Sequence, residues 1–257
     1  MAARPGLAAL SALVLVSVLG AMAPESADAA ENPCCRETEF EGQSFALCTV
    51  SADQDLRLFL SDETGEVFGT FNRLETALEG QGSRLIFAMN AGMFHSDRAP
   101  VGLYVEDGEE RAGIVTREGP GNFGLLPNGV FCIAEGGFSV VESRAFAETP
   151  PACRYATQSG PMLVIDGTLH PRFLPDSESL YVRNGVGVSD DGQEAWFVIS
   201  DQPVTFHLFA RYFRDALGAN NALYFDGSVS RLYAPELQRA DWGLPLGPMV
   251  GLVAPAG

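Results

Sequence analysis

The stretch Leu223-Tyr224-Phe225-Asp226-Gly227-Ser228-Val229-Ser230 decides the fold, because it joins an apolar strand to a polar end that contains glycine. Three other stretches have the same form: Met89-Asn90-Ala91-Gly92-Met93-Phe94-His95, Ala156-Thr157-Gln158-Ser159-Gly160-Pro161-Met162 and Tyr181-Val182-Arg183-Asn184-Gly185-Val186-Gly187. We call the four the Asp226, Asn90, Ser159 and Arg183 clusters. Glycine permits a positive φ or a close approach of the backbone to a ligand. Polar residues at strand ends are a common way to build a site on a rigid scaffold. The clusters therefore predict one concave site, assembled from distant parts of the chain.

Most of the remaining sequence reads as short apolar strands separated by turn residues. Further strands are predicted over Phe45–Val50, Leu56–Leu60, Leu85–Met89, Gly102–Glu106, Gly129–Ile133, Phe138–Val141, Met162–Ile165, Gly185–Val188, Ala195–Ser200 and Met249–Val253. Two helices are predicted, one over Asn72–Glu79 and one that begins after Thr205 as N-cap and ends near Gly218. This order predicts an α+β fold in a single domain over residues 30–257, with strand-rich mixed sheet layers and a few helices.

The first 29 residues resemble a signal peptide. Arg4 supplies the positive charge, Leu7 to Leu19 is a short apolar region, and Ala27-Asp28-Ala29 is a small-x-small cleavage site. A membrane anchor is the alternative, but no later apolar run is long enough to span a bilayer. We therefore expect an exported protein, periplasmic or extracellular, whose mature chain has no membrane span.

The charge of the chain restricts its partners and its chemistry. The formal net charge is −17, and such a surface repels nucleic acid. All 16 basic residues are arginine, so chemistry that needs lysine, such as a Schiff base or a Walker-type P-loop, is excluded. Arginine is the remaining fixed cation, and its planar fork suits phosphate or carboxylate.

Five cysteines in an exported chain predict disulfides. Cys48 is expected to pair with Cys34 or Cys35, with Cys35 as the chosen partner, and Cys132 with Cys153. No cysteine has metal-ligand spacing with a histidine, so no zinc site is predicted. No cofactor is predicted either. Ca²⁺ beside Asp226 stays possible in principle, although no ligand series like an EF-hand loop is present.

Each cluster carries a side chain that suits a ligand. Asp226 can face a pocket while backbone N–H groups hold it, and the alternative is a plain Asp-Gly hairpin turn. Arg183 can form a bidentate contact to phosphate oxygens, and the alternative is a surface salt bridge. Asn90, which ends a strand beside Gly92, can donate to and accept from sugar hydroxyls or simply close a turn. His95 is the one histidine within a cluster, so it is a candidate proton carrier, although a peripheral role is the alternative.

The Ser159 cluster contains a serine, but no histidine and aspartate complete a triad in a known order. The more natural role for Gln158, Ser159 and Gly160 is a rigid loop whose backbone N–H groups and amide face a ligand. In Gly160-Pro161, a glycine with a flexible backbone precedes a proline whose φ is fixed.

Taken in this order, each beside a strand, the clusters resemble the phosphodiester glycosidase family. The resemblance runs from about Leu85 to Val253 and rests on four motifs: Asn90-Ala91-Gly92-Met93-Phe94, Ser159-Gly160-Pro161, Arg183-Asn184-Gly185 and Asp226-Gly227-Ser228-Val229-Ser230. Ala91 and Ser228 stand where the family usually has glycine.

The resemblance implies a hydrolase that cleaves a sugar-1-phosphodiester bond of envelope or extracellular glycans, such as an exopolysaccharide. It implies catalytic roles for Asp226 and Arg183, to which we add His95. Substrate would be bound by Asn90, Gly92, Gln158, Ser159, Gly160, Asn184, Gly227 and Ser228. The alternative is a glycan-binding protein of envelope assembly that does not cut its ligand.

Overall fold

The structure, a computed structural model, describes residues 1–3 and 34–256. The predicted signal peptide over 1–29 lies outside the described residues apart from its first three, and stays a prediction. Residues 34–256 belong to one compact unit. No helix among these described residues has the length and apolar character needed to cross a membrane.

Strands dominate the described residues. In chain order they are β1 (Cys35–Phe40), β2 (Gln43–Ser51), β3 (Asp55–Phe59), β4 (Ser83–Asn90), β5 (Tyr104–Glu106), β6 (Glu109–Ala112), β7 (Gly129–Ala134), β8 (Gly137–Glu142), β9 (Cys153–Ser159), β10 (Met162–Ile165), β11 (Thr168–Leu169), β12 (Asn184–Val188), β13 (Glu194–Ser200), β14 (Asn221–Asp226), β15 (Leu232–Ala234), β16 (Arg239–Ala240) and β17 (Met249–Pro255). The α-helices are α1 (Phe71–Glu79), α2 (Ser143–Glu148) and α3 (Phe206–Arg211). A π-helical turn over Tyr212–Ala216 continues α3, and Pro235–Leu237 forms a 3₁₀ turn.

The strands form three antiparallel sheets. Sheet A has the order β1-β2-β13-β12-β14-β10-β11, sheet B has β16-β15-β4-β17-β3, and sheet C has β6-β5-β9-β7-β8. The α+β prediction is therefore confirmed, with sheets as the main layers and short helices on their outer faces.

The three sheets meet in one apolar core, where one phenylalanine from each sheet packs together. The ring of Phe197 in sheet A lies 5.4 Å from Phe87 of sheet B and 5.6 Å from Phe131 of sheet C, measured between centroids. On its other face, sheet A buries Phe209 and Phe213 of the α3 region. Helix α1 packs Leu74 and Leu78 on sheet B in the same way. Sheet A is thus covered on both faces, which explains its continuous apolar runs.

Two disulfides form, Cys35–Cys48 and Cys132–Cys153, the pairings chosen from the sequence. The antiparallel register places Cys35 directly opposite Cys48, and this selects Cys35 over Cys34. Cys34 is the free cysteine. Burial, with a smaller contribution from Glu236, raises the pKa of the Cys34 thiol to about 12, so it stays protonated at neutral pH.

The predicted strands are all present, and so are both predicted helices. Thr205 accepts a hydrogen bond from Leu208 N–H as the N-cap of α3, and Gly218 takes a positive φ after the π-helical turn. The sequence reading missed α2 and six strands: β1, β6, β9, β11, β15 and β16. Of these, β9 matters most, because it is the central strand of sheet C and carries the Ser159 cluster.

Candidate functional site

The Arg183 and Asp226 clusters are neighbours because β12 begins where β14 ends. The two strands are antiparallel, and Asn184 is the Cα partner of Asp226. The register shifts between Asn184 and Gly185, which marks a β-bulge at this end of the two strands. Bulges locally re-aim side chains. Here Asn184 Oδ1 accepts a hydrogen bond from Asp226 N–H at 3.1 Å.

The Asn90 cluster joins them from sheet B through a pair of side-chain amides. Asn184 Nδ2 donates to the Asn90 backbone carbonyl at 2.9 Å and to Asn90 Oδ1 at 3.1 Å, and Asn90 Nδ2 donates back to Asn184 Oδ1 at 3.3 Å. Asn90 Oδ1 also accepts from Arg231 N–H at 2.9 Å. Both asparagines are fully buried. Buried amides with complete hydrogen bonding fix geometry, so this pair holds the two sheets in register at the site.

Asp226 is the carboxylate at the end of this network. Its Oδ1 accepts from the N–H groups of Gly227 at 2.6 Å and Ser228 at 2.7 Å, and the residue is 8% exposed. Burial raises the pKa of the Asp226 carboxyl, although the N–H groups of Ser228 and Gly227 oppose the shift. The alternative of a plain hairpin turn is not what forms, because residues 227–231 lead from sheet A into β15 of sheet B.

Arg183 lies beside this carboxylate but does not pair with it. The side chain is fully buried and donates from Nε to Val204 O at 2.8 Å and from Nη2 to Ser179 O at 3.0 Å. Its Cζ lies 3.6 Å from the ring centroid of Phe206, a close cation–π contact. No carboxylate of the described residues lies within salt-bridge distance of it. The alternative of a surface salt bridge therefore does not describe Arg183, and burial lowers the pKa of its guanidinium.

Tyr224 connects the cation to the Asp226 turn, and the sequence reading missed it. Its hydroxyl lies 3.4 Å from Arg183 Nη1. A Cβ on Gly227 would fall only 2.0 Å from the same hydroxyl, so glycine is what lets the tyrosine approach. Burial raises the pKa of the Tyr224 phenol, which keeps the hydroxyl protonated at neutral pH.

The Ser159 cluster reaches the site from sheet C. Thr157 Oγ1 donates to the Ala91 carbonyl at 2.6 Å, and Ser159 Oγ donates to the Phe225 carbonyl at 2.8 Å. Gly92 takes a φ of +139° and lies against Thr157, where a Cβ would be 3.0 Å from the hydroxyl. All four clusters therefore converge, as the sequence predicts.

Gln158 is placed differently from the expectation that its amide faces a ligand. Its Oε1 accepts from Leu103 N–H at 3.0 Å and Val115 N–H at 2.9 Å, while its Nε2 donates to Val115 O at 2.6 Å and Ser143 Oγ at 2.7 Å. These four bonds use the whole hydrogen-bonding capacity of the amide. In this structure Gln158 fixes the segments around Leu103 and Val115 to β9, and Gly160 packs against Asn128.

His95 lies apart from this network, in an exposed turn closed by hydrogen bonds from His95 N–H to Ala99 O and from Arg98 N–H to His95 O. Within the described residues, the one group of three side chains with metal-ligand spacing is Cys34, Cys35 and Glu236. Cys35 is in a disulfide, so this group offers two donors rather than three.

Comparison with known proteins matches the part of the sequence that carries these clusters to a protein family. The profile described as "Phosphodiester glycosidase" matches residues 83–242, a range that includes all four clusters. The chain belongs to the phosphodiester glycosidase family. The chain is also 36% identical over 178 residues to the uncharacterized protein YigE of Escherichia coli strain K12, and this match covers 69% of each chain.

A solved structure shares the fold of this phosphodiester glycosidase family member. It is the catalytic domain of zebrafish N-acetylglucosamine-1-phosphodiester alpha-N-acetylglucosaminidase, auto-inhibited by its pro-peptide. The TM-score is 0.58 at 12% identity, and the match covers 87% of this chain and 84% of the zebrafish chain. At this identity the likeness concerns the fold, and the family assignment supports a hydrolase of the glycosidase type.

Two further residues complete the site, and no role was predicted for either of them. Ser230 Oγ lies 2.7 Å from the Asp226 carbonyl and 2.9 Å from the Val182 carbonyl, so its one hydroxyl proton is shared between these acceptors and closes the turn after β14. Arg231 N–H donates to Asn90 Oδ1, and its side chain lines a neighbouring cleft. Position was the available signal, because Ser230 ends the Asp226 cluster and Arg231 follows it directly.

Proposed function

We propose that this chain hydrolyses a sugar-1-phosphodiester, in which a phosphate is bonded to the anomeric carbon of a sugar. The observation that carries the proposal is the buried network of Asn90, Asn184 and the Asp226 backbone N–H, which brings three distant clusters together beside the Asp226 carboxylate. Family membership supports the reaction class, and the geometry supports the roles given to individual residues.

The proposed reaction does not require a strong general acid. A phosphate leaving group is much less basic than an alcohol, so it departs without the strong proton donor that ordinary glycoside hydrolysis requires. The site must instead stabilise negative charge on the departing phosphate and positive charge on the anomeric carbon. A cation and a carboxylate that do not neutralise each other meet both needs.

We assign the carboxylate role to Asp226, as nucleophile, base or electrostatic stabiliser of the anomeric carbon. Arg183 stabilises the phosphate, with the protonated Tyr224 hydroxyl as the donor that reaches toward the Asp226 turn. Because the Arg183 guanidinium is buried, it acts on the phosphate through its charge and through Tyr224. Direct contact with a phosphate oxygen would require that oxygen to replace the carbonyl of Ser179 as a hydrogen-bond acceptor. His95 keeps the role of candidate proton carrier in this proposal, and its exposed turn leaves the imidazole open to solvent.

The remaining residues bind substrate or hold the site in shape. The Ser228 hydroxyl lies next to the carboxylate and is offered to substrate, while the N–H groups of Gly227 and Ser228 hold Asp226. Gly92 and Gly160 contribute to the substrate site by letting Thr157 and Asn128 pack closely against the backbone. The amides of Asn90, Asn184 and Gln158 and the hydroxyl of Ser159 are engaged inside the protein, so they act on substrate by positioning these neighbours.

We also propose that the protein works outside the cytoplasm, on envelope or extracellular glycans such as exopolysaccharide. The disulfides Cys35–Cys48 and Cys132–Cys153 fit an oxidising compartment. The proposed reaction needs no cofactor, and Ca²⁺ has no assigned role in it.

Hydrolysis of a panel of sugar-1-phosphodiesters by the oxidised protein tests the proposal. Wild type should release free sugar, and Asp226→Asn should lose nearly all turnover while keeping the fold. Asp190→Asn is the matched control, because Asp190 is exposed and accepts one hydrogen bond from Asn220, and it should hydrolyse like wild type. Full turnover by Asp226→Asn would remove the carboxylate from the scheme. Binding of the same compounds by wild type without any release would favour the non-catalytic glycan-binding alternative.

A further inference from the structure

A cleft of about 650 Å³ lies next to the candidate site and has no part in the proposed reaction. It is lined by the start of α1, by Arg231 and Tyr233 on the β15 side, and by the segment from Ala240 to Leu246. Arg231 belongs to both places, since its backbone N–H is bonded to Asn90 Oδ1 and its side chain lines the cleft.

Trp242 is the conspicuous residue of this cleft. Its side chain is 93% exposed, and the nearby Leu244 is 67% exposed. A large aromatic group left in water gives up a substantial burial free energy, so an exposed aromatic beside a cleft indicates a binding surface.

The segment that carries Trp242 is anchored on both sides. Before it, Asp241 N–H donates to Leu232 O at 3.0 Å, and Leu232 N–H donates to Asp241 Oδ2 at 2.9 Å. After it, Arg231 Nη1 donates to Leu244 O at 2.5 Å. The guanidinium also packs where a Cβ of Gly243 would stand, 2.2 Å from Arg231 Nη2. The backbone that carries the indole is therefore fixed, so binding has to order only the side-chain torsions of Trp242.

The rest of the cleft combines apolar and polar groups. The Phe71 and Tyr233 rings lie 6.1 Å apart between centroids, and the Tyr233 hydroxyl donates to the Glu75 carboxylate. Asn72 is exposed at the rim and offers both a donor and an acceptor. A mostly preformed cleft with aromatic walls and a few polar groups is typical of small-molecule sites.

We infer that this cleft binds a neutral pyranose unit, stacked on Trp242. A pyranose has one face of C–H groups, which suits the electron-rich face of an indole, and an edge of hydroxyls, which suits Asn72 and Glu75. The Glu75 carboxylate and the acidic surface of the chain disfavour an anionic ligand here, as the net charge of −17 indicates.

The shared residue Arg231 links the cleft to the reaction. The sugar held by Trp242 is a further unit of the glycan that carries the scissile phosphodiester. This link rests on the proposed function, whereas binding of a sugar by the cleft does not.

The two tryptophans of the chain allow a direct test of binding. In Trp196→Phe, Trp242 is the single indole, so its fluorescence reports on the cleft alone. We would titrate this variant with neutral trisaccharides of gluco, galacto, manno and N-acetylglucosamine configuration, and measure affinities by calorimetry. We expect a saturable change in emission with at least one sugar, and a loss of affinity of about tenfold or more in Trp242→Ala.

Control variants separate this inference from the proposed function. Leu174→Ala removes another exposed apolar side chain, 61% exposed, and should bind like wild type. Asp226→Asn should also bind the trisaccharides normally. If wild type binds the trisaccharides saturably but hydrolyses no member of the sugar-1-phosphodiester panel, the proposed function fails and the inference about the cleft stands. The inference is overturned if no sugar in the panel changes the Trp242 emission, or if Trp242→Ala binds as tightly as wild type. Self-association that disappears in Trp242→Ala, measured by sedimentation, would assign the indole to a protein contact and overturn it too.

Discussion

Replacing Asn184 by alanine should destabilise the protein, because its side chain joins sheet A to sheet B at the site. The side chain supplies a donor to the Asn90 carbonyl at 2.9 Å and an acceptor to Asp226 N–H at 3.1 Å, and it also accepts from Asn90 Nδ2 at 3.3 Å. Asn184→Ala leaves these three buried groups without that partner. Each unsatisfied buried group costs about 1–3 kcal/mol.

Taking the low end for each group, since water enters part of the space, the free energy of unfolding should fall by about 3 kcal/mol. For a domain of this size, that corresponds to a melting temperature lower by about 6–12 °C. Urea unfolding followed by circular dichroism, with disulfides intact, measures the change. Because the network positions Asp226, turnover on the sugar-1-phosphodiester panel should also fall in the fraction that remains folded.

Asn220→Ala is the matched control. The Asn220 side chain donates to Asp190 Oδ1 at 2.8 Å, but it is exposed, so water replaces the partner it loses. Its effect should stay within about 0.5 kcal/mol. A loss below about 1 kcal/mol for Asn184→Ala would refute the reasoning, because it would mean that the amide pair does not hold sheets A and B together.

Further predictions concern the carboxylate and the turn that follows it. Since burial raises the pKa of Asp226 in the folded state, the ionised carboxylate opposes folding, and Asp226→Asn should be more stable than wild type at pH 7 by about 1.4 kcal/mol per unit of elevation. Urea titrations should show this advantage vanish as the pH falls through the raised pKa to below the ordinary aspartate value, and an advantage independent of pH would contradict it. The rate of hydrolysis should rise with pH through the same raised pKa if Asp226 acts as its anion, and a flat pH–rate profile would argue against that. Gly227→Ala should displace the Tyr224 hydroxyl and reduce turnover, whereas Gly136→Ala, with nothing within 4 Å of its added Cβ, should change neither turnover nor stability.

Three of the clusters stood out in the sequence because a predicted apolar strand adjoins glycine and a polar side chain, and the Ser159 cluster stood out through the predicted strand Met162–Ile165 that follows it. The sequence also predicted that the clusters meet, and the hydrogen bonds between them confirm this, whereas the roles of their residues stay a proposal. What it could not provide is the register. The contact between Asn184 and Asp226 depends on a one-residue bulge at Phe225 in β14, and a shift of one residue would turn Asn184 toward the other face of the sheet.

Strand β9 escaped prediction because its buried side chains are polar. Thr157, Gln158 and Ser159 read as a loop, yet all three are buried and bonded within the protein. Their partners, such as the Ala91 and Phe225 carbonyls, come from distant segments. No local pattern can show that such partners exist, so polar residues in a central strand are systematically misread as turns.

The surroundings of the Arg183 charge could not be predicted from the sequence either. Its position in a cluster suggested that the guanidinium is open to a phosphate. Instead, Phe206 packs on the guanidinium at 3.6 Å, and the Val204 carbonyl accepts a hydrogen bond from its Nε–H. Val204 lies in the connection from β13 to α3 and Phe206 is the first residue of α3, about 20 residues after Arg183 in the sequence. Only the packing of that connection against sheet A determines whether the cation is exposed.

The separation of Arg183 from Asp226 is the feature that bears most directly on mechanism. Had the two paired, each would have neutralised the other, and the pKa of the carboxyl would have been lowered rather than raised. Instead Tyr224 stands against the guanidinium at 3.4 Å and against the turn at Gly227. Two buried charges kept apart complement a ligand that separates charge as it reacts. Cleavage of a sugar–phosphate bond does this, since the phosphate takes the electron pair and the anomeric carbon becomes positive. Asp226 is held by backbone N–H groups and Arg183 by backbone carbonyls, so neither charge needs the other, and a site for a neutral glycan alone would not require two buried charges.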